Sequence, residues 1–516
     1  MRPALQAETS NLTGVARAAG CVLYPRSTRQ VRNIVRRANR RGLTIYVVST
    51  GLNYGYGGRS PPRDTDILLD LSRMRRILNA GAISAANPVA LIEPGVTQQD
   101  LYEHLQQHAP ELTFNVTGSA RATSILGNAL DRGVGYFGAR KEDVFGLEVV
   151  TGKGDVIYTG FRRLGEASPL AHTHPYGLGP MLDGLFFQSN LGIVTSACFR
   201  LLPRRPKAVA VSLALREAGR LDEFIDVLAA LKREGIMDSV THIANRARSQ
   251  ASLEYGIHTY LQQECGLAPD AAARESGRAL AMATQGEWTS LGALTGSGAG
   301  LRAALAEVRQ RIGHLARVRV ITHQRLDLAY RVLHALRMLP PARALAAAIA
   351  AIRPLHVLAL GQPTDAAVDN LLWKFGASGR AASELDQTNC GLLFINPALP
   401  MDGATVARVM RRMERWAKRK GLPLYITINI ESATSLVAVI NVLFDRSAPQ
   451  QVQQAHDLSG ILHRVLHKEK LEVYRARADM MAQVTSAADP FWQAVRELKH
   501  SLDPGRVLAP GRYNLD

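Results

Sequence analysis

Residues 49–62, STGLNYGYGGRSPP, place four glycines (Gly51, Gly55, Gly57, Gly58) within eight positions, directly after the apolar run LTIYVV at 43–48. A strand that feeds such a loop leaves the backbone free to take positive φ and to come within contact distance of a ligand. Its inward amides would form a concave anion site suited to a pyrophosphate. Ser49, Thr50 and Asn53 add short polar side chains. Tyr54 and Tyr56 add two phenol rings, unusual in a plain surface turn. A glycine-rich hairpin fits the same pattern, so the flanking chain has to decide between the two.

Residues 20–48 read as strand, helix, strand. Pro25 and Ser27 open the helix, Val31, Ile34, Val35 and Ala38 recur at helical spacing with arginines opposite, and Gly42 closes it. Residues 67–71 and 89–96 are further strands, and Thr97 caps a helix carrying Leu101 and Leu105. A second small-residue segment, TGSARATS at 117–124 followed by ILGNALDRGVGY at 125–136, again implies close approach to the backbone. Residues 144–150 and 156–159 form a hairpin around Gly152-Lys-Gly154, and PYGLGP at 175–180 is irregular. Residues 184–195 turn into a strand at 196–202, and Pro203 and Pro206 mark a boundary. Beyond it, helices alternate with strands at 209–215, 392–396, 424–429 and 436–444, the pattern of an α+β second domain. The tail reads as a helix followed by DPGRVLAPGR at 503–512.

With 516 residues the chain holds two or three domains. Its four cysteines, at 21, 198, 265 and 390, show no metal-like spacing, which predicts a reducing compartment, no disulfide framework and no metal. The first fourteen residues contain no apolar leader. The most apolar helical stretch, 342–352, is alanine-rich and too short to span a membrane. A cytoplasmic location without a membrane partner is expected. The net charge of +18 is carried mostly by arginines in helices and comes with no recognised nucleic-acid module, so no nucleic-acid partner is expected.

Five segments, STGLNYGYGG, LIEPGVT, SILGNALDRGVGY, PYGLGPMLDGLFFQSNLGIVT and DPGRVLAPG, resemble in order and spacing the vanillyl-alcohol oxidase and p-cresol methylhydroxylase family of FAD-binding (PCMH-type) flavoproteins. The likeness is dense over 20–206 and 470–511. It implies an α+β fold: a PCMH-type FAD-binding domain from 1–206, completed by 471–516, and a cap domain with an antiparallel sheet from 207–470. The implied cofactor is FAD. The resemblance sets Ser49, Thr50, Gly51, Leu52, Asn53, Tyr54, Gly55, Gly57 and Gly58 around its pyrophosphate and Pro94, Gly95 and Val96 near its adenine. Ser124, Gly127, Asn128, Arg132 and Gly133 follow its middle, Gly192, Ile193 and Val194 its ribityl chain and ring edge, with Arg512 added from the tail.

Tyr56, Tyr474 and Arg475 coincide with the family's phenolate site. Two phenol hydroxyls and a guanidinium stabilise a phenolate oxygen. The phenolate pushes electron density into its ring, so hydride leaves the para carbon for flavin N5 and a quinone methide results, to be attacked by water or desaturated. Outside that resemblance, Tyr474-Arg475 would be an ordinary ion-pair segment.

Two departures qualify the likeness. Ser119 stands where the family places an aspartate near N5, and a serine cannot act as that carboxylate; Glu431 is a substitute candidate from the cap. Val437 and Ala438 occupy the place of the cap histidine that links the flavin covalently, and Leu52 and Asn53 replace the loop histidine of doubly linked relatives, so the FAD is expected to be non-covalent. His172 and His174 read as structural. The expected activity is FAD-dependent oxidation of a para-substituted phenol or related aromatic alcohol, with oxygen or a redox carrier as acceptor, in a chain compatible with homo-oligomers. A non-phenolic alcohol or biosynthetic intermediate is the alternative substrate; a redox-silent protein that binds an acidic partner is the alternative class.

Overall fold

The computed structural model describes residues 9–15, 17–375 and 381–516; the first eight residues, read above for a leader, lie outside them. The first half contains β1 (Ala19–Leu23), α1 (Thr28–Arg41), β2 (Ile45–Val48) and β3 (Thr65–Asp70). β3 lies between β1 and β2 and runs parallel to both. The Ser27 side chain caps α1 by accepting from Gln30 N, and Gly42 ends it at φ 63°. Val31, Val35 and Ala38 of that helix pack with Ile45, Ile67 and Leu69, and Val507 and Leu508 of the tail complete the cluster.

β4 (Val89–Ile92), α2 (Gln98–His108), α3 (Ile125–Leu130), β5 (Val144–Thr151), β6 (Val156–Tyr158) and β7 (Gly192–Arg200) follow. The four strands form an antiparallel sheet in the order β4-β7-β5-β6. The strand expected over 89–96 stops at Ile92. Pro94 has no amide to donate, and the Gly95 amide turns away to the Met74 carbonyl at 2.6 Å. Thr97 then starts α2 with a full capping box to Asp100.

The remaining chain builds one eight-stranded antiparallel sheet. Its elements are β8 (Lys207–Leu215), α4 (Leu221–Arg233), β9 (Thr241–Asn245), α5 (Arg246–Gln263), β10 (Trp288–Gly296), β11 (Ala316–Ile321), α6 (Pro340–Ala359), β12 (Cys390–Leu399), α7 (Gly403–Arg419), β13 (Tyr425–Ile430), β14 (Leu436–Asp445), α8 (Pro449–Lys468) and β15 (Val473–Arg475). The strand order is β11-β8-β10-β9-β13-β14-β12-β15. Strict alternation gives the central strands two different faces. Ile426, Ile428, Ala438, Ile440 and Val442 are buried with Phe224 of α4, Met410 of α7 and Leu458 of α8. Their neighbours Thr427, Asn429, Val439 and Asn441 point to the opposite side, into a cavity.

Two sequence expectations need correction. β9, β10 and β11 lie in the part read mainly as helical. The alanine-rich helix does not stop at Ile352: α6 continues through Pro354 to Ala359, losing one backbone hydrogen bond at the proline. At 20 residues it is long and apolar enough, by length and composition, to cross a membrane. It packs on α5, where a Cβ on Gly256 would sit 2.9 Å from the Ala351 Cβ.

Candidate active site

The cavity lies between the first-half loops and the polar face of the eight-stranded sheet. Ser49, Thr50, Gly51, Leu52, Asn53, Tyr54, Tyr56 and Gly58 of the glycine loop line it, with Ser119, Ser124, Gly127, Asn128, Gly133, Gly192, Ile193, Val194, Tyr474, Arg475 and Arg512. Residues up to 463 positions apart thus converge on one space. Gly51 and Gly58 take φ of 73° and 54°, the left-handed region that glycine enters without strain. At Gly127 a Cβ would meet the Ser49 Oγ at 2.8 Å, so the two small-residue segments touch only because that position is bare.

Six of the predicted cofactor positions do not line this cavity. A Cβ on Gly55 would meet Leu392 Cγ at 2.6 Å, and one on Gly57 would meet Ala478 Cβ at 2.8 Å. These two glycines let the loop pack against β12 and the C-terminal part instead. The Pro94 carbonyl accepts from Ser124 Oγ at 2.5 Å, Gly95 lies against the Ser72 and Met74 carbonyls, and Val96 is wholly buried in a hydrophobic cluster. Arg132 is exposed at the left-handed turn after α3 and lines a separate surface cleft.

One end of the cavity holds a charged cluster. Arg475 stacks its guanidinium on the Tyr56 ring, 3.7 Å from the centroid. Its Nη2 donates to Asp131 Oδ2 at 3.0 Å. Arg512 donates to the other oxygen, Asp131 Oδ1, at 2.5 Å and to the Tyr46 hydroxyl at 3.1 Å. Two guanidiniums therefore share one carboxylate and leave an excess of positive charge. Burial opposes ionisation of Asp131, yet the two arginines hold its carboxyl below the usual range. Burial also works against the Arg475 charge, and Asp131 restores it with help from the tyrosines. The Arg475 Nε is buried with no hydrogen-bond partner among the described residues.

The phenols behave in the opposite way. Burial raises the Tyr56 pKa, with Arg475 pulling it back only in part. Burial, reinforced by the neighbouring Tyr56, raises that of Tyr474 further. Both stay protonated and can donate. Tyr56 is oriented by Asn396 Nδ2, which donates to its hydroxyl oxygen, and by the Phe394 ring at 4.5 Å between centroids.

The other end belongs to β9, β13 and β14. His242 and Asn429 are directly opposed, and His242 Nδ1 lies 2.8 Å from Asn429 Oδ1. An amide oxygen only accepts, so Nδ1 carries the proton and Nε2 presents a lone pair. That Nε2 is buried without a partner among the described residues. Burial, together with Arg248, pushes the His242 pKa down to about 4, against the pull of Asn429, so the ring is neutral. Arg248, on α5, donates Nε to Thr427 Oγ1 at 3.4 Å.

Ser119 lines the cavity with its Oγ 2.6 Å from Thr117 Oγ1. Glu431 does not line it: the carboxylate accepts from Ser435 Oγ at 2.9 Å within its own turn. Neither His172 nor His174 lines it. Ala438 faces the buried core.

Sequence reasoning missed Asp131 as the partner of both arginines, Asn396 as the residue holding Tyr56, and the polar sheet face. For the last a signal existed: Thr427, Asn429 and Asn441 sit at every second position among isoleucines and valines, the pattern of a sheet with one polar face.

A dinucleotide cofactor fits this geometry. Beside the bare glycine loop and the excess positive charge, the Oδ1 atoms of the cavity-lining Asn53 and Asn441 are buried with no partner among the described residues. Residues 19–160 match the FAD binding domain family. The chain is 29% identical to 1'-carboxy-chondrochloren decarboxylase of Chondromyces crocatus over 96% of this chain and 90% of that protein. It is 25% identical to the 4-cresol dehydrogenase (hydroxylating) flavoprotein subunit of Pseudomonas putida over 97% and 89%. Its fold superposes on substrate-bound p-cresol methylhydroxylase with a TM-score of 0.81, at 23% identity, covering all of this chain and 93% of that one. For 4-ethylphenol oxidase from Gulosibacter chungangensis the TM-score is 0.83, at 24% identity and the same coverage. The fold is that of the PCMH-type flavoproteins, the cofactor is FAD, and the chain is an FAD-dependent oxidoreductase.

Proposed function

We propose that this oxidoreductase oxidises a para-substituted phenol or related aromatic alcohol at the carbon attached para to the hydroxyl, after binding it as the phenolate. The observation that carries this reading is the cluster of Tyr56, Tyr474 and Arg475: two protonated phenols and a guanidinium with an unpartnered Nε. A phenolate oxygen placed there receives hydrogen bonds from neutral donors and charge from Arg475, whose own position Asp131 holds. Preorganised donors stabilise the anion without reorganisation cost. FAD supplies the hydride acceptor when bound. Residues 49–54 and 58, with Ser124, Gly127, Asn128, Gly133 and 192–194, are the groups that would hold it. Val437 and Ala438 offer no nucleophile for a covalent link, so the flavin is non-covalent in this reading.

Ser119 has no carboxylate to accept a proton from water attacking a quinone methide. His242 takes that part here, since it lines the cavity and its Nε2 lone pair has no partner among the described residues. The acceptor of the electrons is oxygen or a redox carrier, and homo-oligomers are compatible with the chain. The 4-cresol and 4-ethylphenol relatives favour the phenol reading. The carboxy-chondrochloren relative favours a second, narrower one, in which the aromatic substrate bears a carboxylate.

Anaerobic addition of 4-ethylphenol to the FAD-loaded protein is expected to bleach the visible flavin absorption, whereas 4-ethylanisole, which cannot form a phenolate, leaves it unchanged. Equal bleaching by both would overturn the phenolate reading.

A further inference from the structure

Arg248 is a third cation in the same cavity, besides Arg475 and Arg512. It lines the space together with His242, Thr427 and Asn429. Among the described residues its guanidinium makes one hydrogen bond, from Nε to Thr427 Oγ1 at a long 3.4 Å, and Nη1 is buried with no partner. Among the described residues it makes no ion pair. Leaving a buried guanidinium without a counter-charge is costly unless something anionic arrives. Nearby protein groups do not provide it: His242 is neutral and Asn429 is engaged with His242. The contrast with Arg475 and Arg512, both on Asp131, is direct.

The sheet sets the distance from the phenolate cluster. Tyr56 stacks on Phe394 of β12. Thr427, the partner of Arg248, is on β13, and β14 lies between the two strands. Two strand spacings, about 10 Å, separate the backbones of Phe394 and Thr427. A phenol with a one-carbon para substituent does not bridge that gap. One with a short chain ending in an anionic group does.

We propose that Arg248 is a specificity residue that binds a carboxylate on the para side chain of the substrate, so that the preferred substrate is an anionic, extended para-substituted phenol. The proposal rests on the phenol reading above, and probes for the two ends separate the failure of one from the failure of the other. Phenylpropanoate carries the carboxylate but no phenol hydroxyl; 4-ethylphenol carries the hydroxyl but no acid. The compound 3-(4-hydroxyphenyl)propanoate carries both, and its methyl ester lacks only the charge.

Binding of 3-phenylpropanoate to the oxidised FAD-loaded protein, followed by flavin difference spectra or calorimetry, is expected to weaken about 10- to 100-fold in Arg248→Gln, the range for a lost hydrogen bond to a charged group. Binding should be partly retained in Arg248→Lys and indifferent to Tyr56→Phe. In turnover, the ratio of kcat/KM for the acid over its methyl ester should fall by a similar factor in Arg248→Gln. Flavin content and the spectrum of the ligand-free variants control for a role in holding FAD. An acid-to-ester ratio unchanged by Arg248→Gln, or 3-phenylpropanoate binding equally to wild type and variant, overturns the carboxylate subsite. If 4-ethylphenol still bleaches the flavin in that case, the phenol reading stands without it. If no phenol bleaches the flavin but 3-phenylpropanoate binding depends on Arg248, the anion subsite stands and the substrate is an anionic compound of another kind.

Discussion

The two ends of the cavity solve the burial of positive charge differently. At one end Asp131 anchors both Arg475 and Arg512. At the other, Arg248 has a threonine hydroxyl and a neutral histidine for company. A compensated arginine can be held rigidly, because its carboxylate partner sets the guanidinium plane before any ligand arrives. An uncompensated one waits for its counter-charge and so discriminates between ligands. The first arrangement suits activation of a substrate group, and the second suits recognition.

Breaking the compensated end should have the largest effect. Asp131→Asn leaves two buried guanidiniums sharing no negative charge, a change of the kind that costs about 3–5 kcal/mol. A fall in Tm for the FAD-loaded protein of several degrees checks it; an unchanged Tm would mean that the arginines are hydrated rather than paired. Next, Arg475→Met removes the cation from the proposed phenolate site. Loss of one preorganised oxyanion donor typically costs about 10²–10³-fold in rate, so flavin reduction by 4-ethylphenol should slow by that factor in stopped-flow traces. At the uncompensated end the same kind of change should act on stability in the reverse sense. Arg248→Met removes a buried charge with no partner, and the ligand-free protein should be as stable as wild type or more so in urea unfolding.

His242 sharpens the comparison through pH. Its folded pKa, about 4, lies below the ordinary histidine value of 6.5. Between those values the unfolded chain binds a proton that the native state does not, so wild-type stability falls as pH drops from about 6.5 towards 4. His242→Gln lacks this contribution. The stability difference between the two should therefore shrink in favour of the variant over that window, and stay constant above it. If His242 accepts a proton in turnover, hydroxylated product should also decline in the variant relative to the rate of flavin reduction.

How much of this was legible in the sequence depended on the separation of the partners. The glycine loop, the Ser27 and Thr97 caps and the Tyr56, Tyr474, Arg475 set were readable, because each is a local pattern or part of a segment resembling a family. Asp131 was read only as part of a cofactor segment, since its partners lie 344 and 381 positions away. Asn396 is 340 positions from Tyr56. No propensity or spacing reports such pairs; they exist only once β15 has joined the edge of the sheet beside β12. Gly55 and Gly57 illustrate the converse. Their sequence context is the same as that of Gly51 and Gly58, yet they serve packing against Leu392 and Ala478 rather than the cavity.

The phenolate claim is tested most directly by one stopped-flow comparison under anaerobic conditions: flavin reduction by 4-ethylphenol in wild type and in Tyr56→Phe, across pH 6 to 9, roughly the range in which such proteins are handled. Removing one hydrogen bond to a charged group predicts a rate about 10- to 100-fold lower in the variant, with flavin content preserved. Equal rates in the two proteins would show that the Tyr56 hydroxyl does not meet the substrate oxygen, and would contradict the account.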